Sequence, residues 1–231
     1  MTNRQKEEKQ LDKCKDPDDN KRVNNAISSI INNCIKNKHK VYLITDLHLW
    51  RRKEKGKSEC NKRSDFDSVI KTINDTVHED DVLINLGDLV DGEFKDKNEL
   101  KEIIKSINCK HKILIIGNND IFDKEFYSSC GFEYAVYSFE WNNIVFTHMP
   151  LRDHQYDMNI HGHIHGYANY WVPYHKMIDV AYYDGRKKPI ELKWLMNKLP
   201  SYAKHIKESP EHFNESAMSF FEYSLLDYYL Q

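Results

Sequence analysis

Five short polar clusters hold the side chains best suited to chemistry. They are Asp46-Leu47-His48, Gly87-Asp88-Leu89-Val90-Asp91, Gly117-Asn118-Asn119-Asp120, Thr147-His148 and Gly162-His163-Ile164-His165. Together they offer carboxylates, carboxamides and imidazoles. Oxygen and imidazole donors in one set suit borderline divalent metals such as Mn, Fe, Ni or Zn. Two ions need a shared ligand, and a single Asp can bridge a pair about 3.5–4 Å apart. Each cluster alone is unspecific, because Asp-x-His, a lone His148 or Gly87-Asp88 often serves only a turn or a core hydrogen bond. The run His161-Gly162-His163-Ile164-His165 is more specific, since three histidines in five residues rarely serve packing. The signal lies in the ordered set.

Something must position these clusters, and each follows a short apolar run: VYLIT, DVLINL, KILII, NIVFT and MNI in turn. Runs of this length, rich in Ile, Val and Leu, predict buried strands. A further run, MIDVAYY, ends at Asp184. Helical spacing over 66–77 and 99–107 separates the first three strands, which implies a largely parallel sheet with crossovers. Open α/β sheets place their sites at the carboxyl ends of strands, where these clusters fall. After Gly131 the pattern is mainly β. Residues 134–141 and 144–147 predict a hairpin across Asn142-Asn143. Upstream, Val23, Ala26, Ile27, Ile30, Ile31, Cys34 and Ile35 predict an amphipathic helix packed on the core.

The 231 residues suit one domain with extensions. We expect a polar leader over 1–21, the domain over 22–194 and a helical extension over 195–231. Phe213, Met218, Phe220, Phe221, Leu225 and Leu226 make that extension apolar enough to pack on the domain or on a second subunit, so it offers a route to an oligomer. Lys plus Arg is 34 against 36 Asp plus Glu, a net charge of -2, which points to no partner. A nucleic-acid binder would need a local basic patch, and only RRKEKGKSECNKR at 51–63 hints at one. The five cysteines form no C-x-x-C pair and are odd in number, so reduced thiols in a cytoplasmic protein are expected. The polar N-terminus is no secretory signal, and no run approaches the roughly 18 apolar residues of a membrane span.

In this order, D-x-H, G-D-x-x-D, G-N-x-D, T-H and G-H-x-H resemble the calcineurin-like metallophosphoesterase superfamily over residues 41 to about 192. THMPL followed by NIHGHIHG is similar to small bacterial and phage members. The resemblance implies an α/β fold, a four-layer αββα sandwich with two central mixed sheets. It implies Asp46, His48 and His165 on one ion, Asn118, His148 and His163 on another, and Asp88 bridging, with Mn favoured. The implied activity is hydrolysis of phosphate mono- or diesters by a hydroxide that two metals activate. Small phosphate esters or nucleotides are the expected substrates. The alternatives are a nuclease or a weakly catalytic scaffold of the same fold.

Asp91 is expected to orient a ligand, and Arg152 to clamp phosphate through its guanidinium fork. Trp50, Tyr167, Tyr170, Trp171 and Tyr174 are candidates for stacking on a base or walling the site. One position departs from the superfamily, which usually carries a histidine where this chain has Asn119. A carboxamide donates a hydrogen bond to substrate but supplies no proton. The catalytic set is therefore Asp88, Asn119 and Asp91, with Asn119 and Arg152 on the substrate. His154 and His161 are the nearest candidates for a replacement acid.

Overall fold

A computed structural model of the chain describes residues 17–49, 63–91, 96–151, 154–165, 171–172, 177–183, 185 and 188–197. Residues 1–16, Trp50, most of the basic run at 51–63, Arg152, Tyr167, Tyr170, Tyr174 and the tail from 198 lie outside the described residues.

The apolar runs form strands buried on both faces, as expected of a sheet covered on each side. In chain order the elements are α1 (Pro17–Lys36), β1 (Val41–Ile44), α2 (Arg63–Thr76), β2 (Val82–Asn85), α3 (Lys97–Lys105), β3 (His111–Ile115) and α4 (Lys124–Ser129). There follow β4 (Tyr134–Val136), β5 (Ser138–Trp141), β6 (Ile144–Thr147), β7 (Met158–His161), β8 (Trp171–Val172), β9 (Met177–Asp179), a 3-10 helix (Val180–Tyr183) and β10 (Ile190–Glu191). Two mixed five-stranded sheets result, ordered β10-β1-β2-β3-β4 and β5-β6-β7-β9-β8. The predicted parallel crossovers hold across β1, β2 and β3, and β4 continues them.

Side-chain alternation along the first sheet divides its packing. Leu43, Ile84, Ile113 and Ile115 share one core with Phe146, Ile160 and Ile178 of the second sheet. Tyr42, Ile44 and Leu83 meet Ile73 and Val77 at the end of α2, while Leu114 and Ile116 meet Leu100 and Ile104 of α3. The architecture is the expected α/β sandwich of two sheets with helices outside. α1 buries Ile27, Ile31 and Cys34 against the starting residues Val41 and Val82, so it closes the sandwich at the end opposite the polar clusters. It begins at Pro17, inside the span expected as leader, and proline suits a first helical position because its missing N–H costs nothing there.

Two local predictions need correction. Residues 134–141 are not one strand: the chain breaks at Tyr137 and passes from the first sheet to the second. Ala135, Val136 and Phe139 are buried, so the two-residue alternation slips phase between Val136 and Phe139. The run MIDVAYY is strand only to Asp179. There Asp179 Oδ1 accepts the Ala181 N–H at 2.9 Å and turns the chain into the 3-10 helix. The helix α4, six residues capped by Asp123, was too short to show a period. The predicted hairpin does form about Asn142-Asn143, whose φ values of 50° and 59° match a type I′ turn.

Among the described residues no helix is long and apolar enough to cross a membrane. Cys34, Cys109 and Cys130 are buried free thiols, while Cys14 and Cys60 lie outside the described residues.

Candidate metal centre

Both sheets deliver their polar clusters to one edge. Asp46 and His48 follow β1, Asp88 follows β2, Asn118 follows β3, His148 follows β6, and His163 and His165 follow β7. The first two loops continue the sheet as a narrow ladder. Asp46 N donates to Gly87 O, His48 N to Asp88 O, Leu49 N to Leu89 O, and Asp91 N back to Leu49 O, all at 2.9–3.0 Å. The backbone then turns sharply: Asp46, His48, Asp88, His163 and His165 all have positive φ, between 43° and 70°. This left-handed region is sparsely used by non-glycine residues, and it aims these five side chains inward.

The side chains meet in two clusters. In one, His165 Nε2 stands 3.2 Å from Asp46 Oδ1 and 2.9 Å from His48 Nε2, and His48 Nε2 is 3.6 Å from Asp88 Oδ2. In the other, His148 Nε2 is 3.3 Å from Asp88 Oδ1, 3.0 Å from Asn118 Oδ1 and 3.2 Å from His163 Nδ1. Donor atoms bound to one cation at about 2.1 Å are separated by about 3.0–3.4 Å, so these spacings fit the edges of coordination polyhedra. The two oxygens of Asp46 differ in the same sense. Oδ2 accepts from Thr45 Oγ1 at 2.8 Å and from His163 N at 3.0 Å, whereas the buried Oδ1 accepts no hydrogen bond and faces only imidazoles. His148 Nδ1 donates to Leu86 O at 2.8 Å, which leaves Nε2 directed at the cluster. The donor set therefore fits a pair of divalent cations.

Close approach requires glycine here. A Cβ on Gly117 would overlap the backbone and carboxylate of Asp88. One on Gly162 would overlap Thr45 Oγ1 and lie 2.7 Å from Asp46 Oδ2.

The electrostatics follow from crowding. Burial alone would raise Asp46, but the His165 imidazole 3.2 Å from Oδ1 and the neighbouring His148 hold it below the usual carboxylate range. The same opposition lowers Asp88, with His148 outweighing burial. Burial would lower His148, yet the Asp88 carboxylate lifts it to about 9. His163 lacks so close a carboxylate and drops to about 4 through burial and the charge of His148.

Supporting residues surround the clusters, and three of them went unassigned in the sequence. Asp120 is buried and accepts four backbone N–H groups: Gly117 and Asp88 on Oδ2 at 2.8 and 2.9 Å, Leu89 and Val90 on Oδ1 at 3.0 and 3.3 Å. It ties the Asn118 loop to the Asp88 loop. Burial and the Asp88 charge push its pKa to about 7, against those donors. Thr45 orients Asp46. Asn159, wholly buried, accepts from Leu151 N and donates to Thr147 Oγ1, which shapes the loop after His148. A polar residue inside an apolar or motif run was the available signal for each.

The other expected residues are distributed as follows. Asn119 is at the clusters, its N and Nδ2 donating to Asp88 Oδ1 and Oδ2 at 2.9 and 2.7 Å. Asp91 stands at the end of the loop ladder, outside both clusters. His161 is buried, its Nδ1 donating to Gly162 O at 2.8 Å, and it falls to about 4 through burial. His154 is half-buried with its ring 5.9 Å from that of Tyr156. Arg152 lies outside the described residues.

A family model for calcineurin-like phosphoesterases matches residues 39–230, further toward the C-terminus than the sequence motifs alone extend. No curated protein matches the chain. Among solved structures, a protein of unknown function from Aquifex aeolicus is 23% identical, with a TM-score of 0.46, over 69% of this chain and 98% of its own. The nuclease MPE of Pseudomonas putida is 18% identical, with a TM-score of 0.39, over 54% of this chain and 61% of its own. With most of its length matched by that model, from the strand before Asp46 to the last residues, the chain belongs to the calcineurin-like phosphoesterase family.

Proposed function

We propose that this chain hydrolyses phosphate esters, mono- or diesters, with a pair of divalent cations, manganese favoured. Asp46, His48, Asp88 and His165 would hold one ion, and Asp88, Asn118, His148 and His163 the other. The carrying observation is that Asp88 turns Oδ2 toward His48 and Oδ1 toward His148, so one carboxylate joins both clusters. Ions bound there supply Lewis acidity to a phosphoryl oxygen and lower the pKa of water towards neutrality.

The chain's own residues do the rest. Asn119 holds an amide N–H beside Asp88, where it can donate to a phosphoryl oxygen entering the site. Arg152, four residues beyond His148, is the proposed second clamp. Asp91 is a positioning residue, its backbone anchoring the His48 loop. Neither Asn119 nor the enclosed His161 is suited to protonate a leaving oxygen: one has no proton to give, and the other is committed to Gly162 O. That leaves His154 as the candidate acid, and without it the reading favours esters whose leaving group needs little help.

The test is elemental analysis after manganese loading, together with hydrolysis of bis(p-nitrophenyl) phosphate and p-nitrophenyl phosphate. We expect two ions per chain and turnover of at least one ester. Fewer than two ions, or two ions with no turnover of any ester in a mono-, di- and cyclic panel, would overturn the proposal.

A further inference from the structure

A ledge of unusual composition adjoins the candidate metal centre on the Asn118 side. Ile121 directly follows the loop that carries Asn118 to Asp120, and it is 44% exposed. Three Cα-to-Cα steps separate it from Asn118, so it lies within about 11 Å of that ligand. Phe122 beside it is half-buried. Its ring is 4.5 Å from Phe126 and 6.1 Å from Tyr127, whose hydroxyl is 3.5 Å from Asp120 Oδ1. The Lys97 ammonium stands 5.1 and 5.0 Å over the Phe122 and Phe126 rings, and Lys124 stands 4.9 Å over Tyr137. Neither ammonium has a carboxylate within 4 Å among the described residues, in contrast to Lys40, Lys71, Lys105 and Lys110. Lys101 lies one turn along α3 from Lys97, so the two form a row on one helix face leading away from the site.

Lysine stems often pack on rings for stability alone. Three features here exceed that role: the ledge is continuous with the ligand loop, Lys97 and Lys124 have no carboxylate partner among the described residues, and an exposed apolar side chain caps it. Cationic groups alternating with apolar and aromatic surface are what a single nucleic-acid strand recognises, through its phosphates and its base faces. A chain of net charge -2 needs such a local row to hold a polyanion.

We propose that this ledge receives the nucleotides adjoining the scissile phosphate of a single-stranded nucleic acid, with a base against Ile121 and Phe122 and phosphates along Lys97 and Lys101. The proposal rests on the phosphoesterase reading and names its substrate class.

The test compares the manganese-loaded chain with Lys97→Gln, Lys97→Gln/Lys101→Gln and Ile121→Ser on a labelled single-stranded 10-mer and on bis(p-nitrophenyl) phosphate. Losing one phosphate contact removes about 0.7 from the salt slope, or about fourfold in affinity at 0.15 M salt. We expect the KM for the strand to rise about fourfold in the single variant and about 14-fold in the double, by the same counterion rule. Kinetics on the small diester should not change. Equal KM values for the strand, or equal losses on both substrates, overturn the ledge. Fluorescence anisotropy of the strand in EDTA adds a readout without turnover. If no ester is hydrolysed but strand binding still weakens in Lys97→Gln, the phosphoesterase reading fails and the ledge stands. A wild-type chain that does not bind the strand overturns the ledge outright.

Discussion

Gly162→Ala should damage the site through packing alone, with no donor atom removed. The added methyl would overlap Thr45 Oγ1, approach Thr45 Cβ to 3.0 Å and press on Asp46 Oδ2 at 2.7 Å. Thr45 cannot simply swing away, because its hydroxyl donates to Asp46 Oδ2 and its N–H to Gly185 O. The strain therefore reaches the carboxylate. Overpacking a full interior costs about 1–3 kcal/mol, and disturbing a residue that orients a ligand costs about 10–100-fold in metal affinity. Thr45→Ala alone loses a charge-assisted hydrogen bond worth about 1.5–3 kcal/mol. It also removes the atom with the worst overlap. The double variant should thus be more stable than the sum of the singles, with a coupling of at least about 0.5 kcal/mol. Urea melts of all four proteins in EDTA give the coupling, and manganese titration gives the affinities. A Gly162→Ala protein that melts and binds manganese like the parent would refute the close packing described here, and so would strict additivity.

Three further outcomes are expected. Asp88→Asn should lose far more diesterase activity than Asp91→Asn, because Asp88 faces both clusters while Asp91 stands at the end of the loop ladder. Equal losses on bis(p-nitrophenyl) phosphate would show those roles to be confused. Asn119→His places an acid of pKa about 6.5 at this position, so with both ions bound, turnover of alkyl esters should rise more than that of aryl esters. An unaltered dependence on leaving-group pKa would mean that another residue already donates the proton. His148, raised to about 9 by Asp88 against its burial, is protonated at pH 7.5 in the metal-free chain, so binding manganese there should release close to one proton. The sign carries over to folding: this pair stabilises the metal-free chain fully below pH 6.5, and the contribution fades as pH rises through about 9. Calorimetry in buffers of different ionisation enthalpy measures the release, and a value near zero contradicts the charge pair.

Much of this site was legible because its residues interrupt apolar runs. The strands before Asp46, Asp88, Asn118 and His148 are four or five residues rich in Val, Ile and Leu, and a carboxylate or imidazole at the end of such a run has few structural uses. The ligand loops could be read for that reason, and so could the parallel order of the first sheet. What stayed hidden depends on backbone rather than on side-chain type. Asp120 takes its role from four N–H groups that any sequence possesses, so only their convergence reveals it. The break at Tyr137 is a slip of one residue in an alternation, too small to see among residues that all favour strand. In the sequence Gly162 is only a member of the G-H-x-H motif, whereas its missing Cβ is what lets the second sheet approach Asp46. The family resemblance supplied the layering of the two sheets, which periodicity along a single chain does not contain.

The left-handed backbone at Asp46, His48, Asp88, His163 and His165 sets the chain's durability against its chemistry. Each such residue carries a conformational cost of about 1 kcal/mol, which glycine would not bear. Five together approach about 5 kcal/mol, comparable to the entire margin that keeps many domains folded. Selecting this protein in the laboratory for heat resistance alone would thus reward glycine at the histidines among these positions, on which the proposed reaction depends, whereas the pair with His148 would retain Asp88. Screens that score only soluble, folded protein should enrich inactive clones, and the enrichment should vanish when manganese is present throughout, because bound cation would then favour the original side chains.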